Sequence, residues 1–170
     1  ILGTGMTQYG VRLRNTTHGL DVTTAGASTI EIRGTGGTGT DDHGLEIFSS
    51  TQGTVSTGSG NITLHGKVHN TSSFAHNGVT LNSLAIQTGG AIDIEGTGGS
   101  RISGGTNTSS HGVLITGSSD LSAVTALRLH GTSNHAGVYF YVSGLNNDIT
   151  TAGGGISIQG TGTTGRGVFL

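Results

Sequence analysis

Apolar and polar residues alternate in short bursts along this chain, and the bursts return at a steady interval. One burst reads apolar-x-apolar-x-Gly: Ile30-Glu-Ile32-Arg-Gly34, Ile62-Thr-Leu64-His-Gly66, Ile92-Asp-Ile94-Glu-Gly96, Leu127-Arg-Leu129-His-Gly131 and Ile156-Ser-Ile158-Gln-Gly160. Ile1-Leu-Gly3 is the end of one more copy. These glycines are 31, 32, 30, 35 and 29 residues apart, a mean of 31.4. A second burst reads Gly-apolar-x-apolar, at Gly10-Val-Arg-Leu13, Gly44-Leu-Glu-Ile47, Gly78-Val-Thr-Leu81, Gly112-Val-Leu-Ile115, Gly137-Val-Tyr-Phe140 and Gly167-Val-Phe-Leu170. A weaker third precedes each return to the first, through Val22, Val55, Ile86, Leu121 and Ile149. The order never changes.

Alternation with a period of two is the mark of a half-buried strand. A strand of three to five residues cannot bury its apolar side alone, so successive repeats must stack. Three strands per repeat in one winding direction predict an all-β fold: a right-handed parallel β-helix, or three-strand β-solenoid, of about 31 residues per coil, with five complete coils plus a partial one. A β-propeller needs about four antiparallel strands in repeats of 40 or more residues and fits poorly. The expected core is the inward pairs, from Val11 and Leu13 through Ile30 and Ile32 to Val138 and Phe140, then Ile156 and Ile158. The interval between the two anchor glycines runs 7, 10, 12, 16, 6 and 7 residues, so loops vary at that corner, where glycine is expected to supply positive φ. Residues 1–170 read as a single array, and the missing polar caps predict an uncapped segment of a longer chain.

Composition agrees. Gly, Thr, Ser and Asn supply 89 of 170 residues, poor material for helix interiors. Leu, Ile, Val and Phe total 40, above the level at which disorder is expected. Cysteine is absent, which removes disulfides, thiolate metal sites and Cys nucleophiles together. A net charge of −2 with 9% charged residues gives no nucleic-acid-binding patch, and no apolar run approaches a membrane span.

The cadence Ile-x-Ile-x-Gly-Thr-Gly-Gly…His-Gly-Val/Leu-x-Ile, at 30–47 and 92–115, resembles the β-strand repeats of giant bacterial surface proteins. These are the filamentous-haemagglutinin-like two-partner-secreted adhesins and autotransporter passengers. The resemblance covers essentially the whole chain. It implies a non-catalytic structural segment of an extracellular filament or adhesin at the bacterial cell surface, without cofactor. Its partners would be other copies or further repeats of the same fibre, carbohydrate or cell-surface ligands.

Several constellations invite other chemistry. Gly36-Gly37-Thr38-Gly39-Thr40-Asp41 matches one calcium nonapeptide, but calcium rolls need tandem copies. Asp41, Asp42, His43 and His76 form the least poor metal cluster; hydrogen bonding of the imidazoles to corner carbonyls is the plainer reading. No strand-to-helix elbow presents a serine nucleophile, and the Asn-x-Ser/Thr sequons at Asn15, Asn61, Asn70 and Asn107 arise readily by chance in so much Ser and Thr. A β-helix also suits polysaccharide lyases and hydrolases, and Asp93 and Glu95 lie on one strand face beside Arg128 and His130 of the next coil. The alternating signs there favour cross-strand pairing over catalysis. An ice-binding solenoid is the third alternative, on the ladders Thr4, Thr35, Thr97, Thr132, Thr161 and Thr24, Thr57, Thr88, Thr151; the second ladder is expected to point inward. The outward column of the second strand runs Arg12, Glu46, Thr80, Leu114, Tyr139, Phe169, and the next runs Arg14, Phe48, Asn82, Thr116, Tyr141. Leu114, Tyr139, Tyr141 and Phe169 therefore form an expected partner-binding patch, which the corner 96–110 would cover if it folded back.

Overall fold

A computed structural model describes residues 1–6, 8–39, 42–69, 76–99, 110–141 and 147–170. The first coil supplies β1 (Leu2–Thr4), β2 (Val11–Asn15) and β3 (Asp21–Thr23). The second supplies β4 (Ile30–Gly36) and β5 (Leu45–Ser56), and the third β6 (Ile62–Val68) and β7 (Val79–Thr88). The fourth contains β8 (Ala91–Thr97), β9 (His111–Thr116) and β10 (Asp120–Ala123). Then follow β11 (Ala126–Ser133), β12 (Ala136–Tyr141), β13 (Ile149–Thr151), β14 (Ile156–Gly162) and β15 (Val168–Phe169). Every ladder is parallel, and the molecule is a β-solenoid.

The stacking register is the one the repeats require. On the first face, β1-β4-β6-β8-β11-β14, the anchor glycines Gly3, Gly34, Gly66, Gly96, Gly131 and Gly160 pair in a single column. On the second face Val11, Leu45, Val79, Val113, Val138 and Val168 align, and on the third Val22, Val55, Ile86, Leu121 and Ile149. The core is these inward pairs, with Ile32, Leu45, Ile47, Leu64, Leu81, Ile94, Ile115 and Leu129 fully buried. Ile156, expected in the core, is instead exposed, because β14 is an outermost strand of its sheet.

Two features differ from the pattern-based reading. Three separate strands were expected in every coil, but β5 and β7 run unbroken from the second face onto the third. The corner between these faces is short enough for the backbone to turn within the ladder. A register shift between Phe48 and Gly53 turns β5, and Ser83, at a φ of 52°, turns β7. The second difference concerns the anchor glycines. Among the described residues, positive φ occurs in glycine at Gly26 and Gly117, in neither anchor column. What the anchors supply is close approach: a Cβ on Gly96 would strike the Gly112 carbonyl, and one on Gly66 the Gly78 carbonyl. Here the first and second strands converge so tightly that hydrogen is the largest side chain that fits.

Candidate functional site

The outward positions of the first face hold a ladder of charges. Register pairs Arg128 with Asp93 and His130 with Glu95. Arg128 lies 3.4 Å from Asp93 and 3.9 Å from Glu95, while His65 reaches Asp93 at 3.4 Å from the coil on the other side. Arg33 pairs with Glu31, whose carboxyl is held below its usual pKa by that hydrogen bond and charge. The residues proposed as a possible acid–base pair thus come together, but each carboxylate is engaged by a cation from a neighbouring coil. This is the cross-strand arrangement of alternating sign.

The threonine ladders divide as expected in the central coils, although Thr24, in the first coil, is exposed. Thr57 and Thr88 are buried, and both hydroxyls bond the Gly60 carbonyl. Thr151 repeats the device on Gly154, 2.6 Å away. The other ladder is in register and faces outward, with Lys67 standing between Thr35 and Thr97.

Of the weak metal candidates, Asp41 lies outside the described residues. His76 and Asp42 are buried together, with His76 Nδ1 lying 3.1 Å from the Asp42 amide nitrogen and 3.0 Å from its carbonyl oxygen. His43 Nδ1 accepts from the Asn77 backbone N–H at 3.2 Å. Imidazoles therefore serve the corner backbone, at His43 through an N–H where a carbonyl was expected. Among the described residues no three His, Asp or Glu side chains are grouped to hold a metal ion.

The position before the second anchor glycine forms a column of its own: Tyr9, His43, Asn77, His111, Ala136, Arg166. Asn77 Oδ1 accepts both the His111 backbone N–H, at 2.9 Å, and His111 Nδ1, at 3.0 Å. The backbone group can only donate, which fixes Oδ1 toward His111. Ring Nδ1 must then carry the hydrogen, and Nε2 is the acceptor. Burial, reinforced by the charges of His135 and His43, lowers the His111 pKa to about 4, so the ring is neutral at ordinary pH.

From this imidazole an aromatic column rises along the axis. His111 stacks on Tyr139 with centroids 4.8 Å apart and planes 14° apart, and Tyr139 meets Phe169 at 4.8 Å. The Arg166 guanidinium lies 4.2 Å from the Phe169 centroid, and Tyr141, 54% exposed, sits 6.1 Å from Tyr139. These side chains with His135 line an open groove of about 550 Å³. Leu114, Tyr139 and Phe169 share one register column, as the alternation requires. The patch differs from the expected flat one: Tyr139 is packed between neighbouring rings, and Leu114 does not line the groove. Residues 100–109, the greater part of the corner expected to cover it, lie outside the described residues. The column before the anchor glycine was the signal by which His111 and Arg166 were findable as groove residues; His135, one position earlier, has no such marker.

Fold and site together define a β-solenoid repeat protein. No protein-family profile, characterised protein or solved structure matches the chain. Among the described residues, no helix is long and apolar enough to cross a membrane.

Proposed function

We propose that the chain is a non-catalytic structural segment of an extracellular filament or adhesin at a bacterial cell surface. The observation that carries this reading is the first-face ladder: Asp93 and Glu95 face Arg128 of the next coil, and Asp93 also faces His65 of the coil before, an arrangement that supports charge pairing from coil to coil over acid–base work. The cadence of the repeats, which resembles giant surface proteins, supports the setting. The aromatic groove supplies the contact surface that an adhesive fibre needs, for further repeats or for a surface ligand. Antibodies against the chain should label intact producing cells. Label confined to lysates refutes the surface assignment. Release of unsaturated or reducing sugar ends from polysaccharides by the purified chain refutes the non-catalytic one.

A further inference from the structure

We propose that the aromatic groove of the upper coils binds an acidic polysaccharide, one sugar ring lying on Tyr141 and a uronate carboxylate meeting Arg166. The inference deepens the adhesive reading above and rests on it. Three properties of the groove select this ligand class.

The first is charge. Among the described residues lining the groove, Arg166 is the one formally charged side chain, His135 is an ionisable imidazole beside it, and none is a carboxylate, although the whole chain is net acidic. A guanidinium already seated against Phe169 is held in one region, and its outer donors are suited to a carboxylate. The second is shape. Tyr139 is partly covered by its neighbours, so the most exposed ring is Tyr141, tilted 47° from Tyr139 to form a side wall. A sugar ring has apolar C–H faces for such a wall and hydroxyls for a polar rim. The lining adds the Tyr141 hydroxyl and, at its buried inner end, the His111 ring, whose acceptor nitrogen is fixed by Asn77. The third is the state of the backbone. β12 is paired by β9 along its length and by β15 at Val138 and Tyr139, so over that stretch an acidic peptide finds no free edge to extend. A second copy docking this face two-fold would bring Arg166 and His135 toward their own counterparts, with no acid among the described lining residues to meet them.

The test is calorimetric titration of the chain with tetragalacturonate at low ionic strength, followed in parallel by tyrosine emission. The chain has no tryptophan, and two of its three tyrosines line the groove. Saturable binding with a change in tyrosine emission is expected. Arg166→Gln and Tyr141→Ser should each weaken it by about tenfold or more, at unchanged melting temperature, and methyl esterification of the tetramer should do the same. Arg33→Gln, an equal loss of charge on the first face, should leave the affinity as it is. Absence of binding, equal weakening by Arg33→Gln, an unaffected Arg166→Gln, or equal binding of tetraglutamate would overturn the proposal. None of these outcomes bears on whether the chain resides at a cell surface, which the antibody experiment decides separately.

Discussion

Replacing Gly96 by alanine adds one methyl group at the apex where the first and second strands converge. That Cβ would lie about 1 Å inside the 3.0 Å that real Cβ atoms keep, and the atom it meets is the Gly112 carbonyl oxygen, with the carbonyl carbon and Val113 Cγ2 behind it. Backbone on both sides of the clash is fixed in ladders: Gly96 pairs with Gly66 and Gly131, and Val113 pairs with Val79 and Val138. No side-chain rotation relieves the contact, so the two strands of the coil must separate locally. Overpacking of this kind costs about 1–3 kcal/mol, and a backbone partner puts it at the upper end. In a domain of this size that is a loss of about 2–12 °C in melting temperature. The matched control is Gly155→Ala, where an added Cβ meets nothing within 4 Å; it should be neutral or stabilise by up to about 1 kcal/mol through the unfolded chain. Urea unfolding followed by circular dichroism reads both. If Gly96→Ala is as stable as Gly155→Ala, the strands do not converge at the anchor glycines and the cross-section is wrong.

Three further outcomes follow from the packing. Ile94→Ala, which empties a fully buried position in the central stack, should cost about 2–5 kcal/mol in the same urea assay. His111 is neutral in the fold with a pKa near 4, whereas its unfolded value is about 6.5, so the unfolded chain binds the extra proton between these limits. Stability from this residue is complete above pH 6.5 and is lost as the pH falls toward 4, by about 3 kcal/mol in all; His111→Asn should flatten that part of the pH profile. Arg128→Gln, at an ion pair half open to solvent, should cost no more than about 1 kcal/mol in urea unfolding, and less in 1 M salt.

The ladder registers were legible in the chain because strand alternation and anchor glycines repeat in fixed order. Gly34, Gly66 and Gly96 could be stacked by counting, and Thr57 and Thr88 could be turned inward from Val55 and Ile86. What counting missed was local backbone geometry. Nothing in Ser83 announces a left-handed turn that keeps β7 continuous. The reason glycine recurs at the corner is hidden in the same way: periodicity shows that a small residue recurs, not whether torsion or proximity demands it. At the candidate site, Tyr139, Tyr141 and Phe169 were found because an outward column is a one-dimensional property. Arg166 was marked only by its column before the anchor glycine, and His135 lies in a corner, where sequence spacing varies. The covering of Tyr139 by His111 is a contact between different columns of adjacent coils, which alternation along one strand does not encode.

The stacked, in-register solenoid is tested most directly by a spin-label distance between positions 31 and 157. Glu31, Thr63, Asp93, Arg128 and Ser157 occupy one column on the first face, four coil steps from end to end. At about 4.8 Å per step their backbones lie roughly 19 Å apart, although 126 residues separate them in the chain. Double electron–electron resonance on Glu31→Cys with Ser157→Cys should give a single narrow distribution near that distance, widened only by the label tethers. A broad distribution, or one centred well beyond 30 Å, would contradict parallel stacking of the coils.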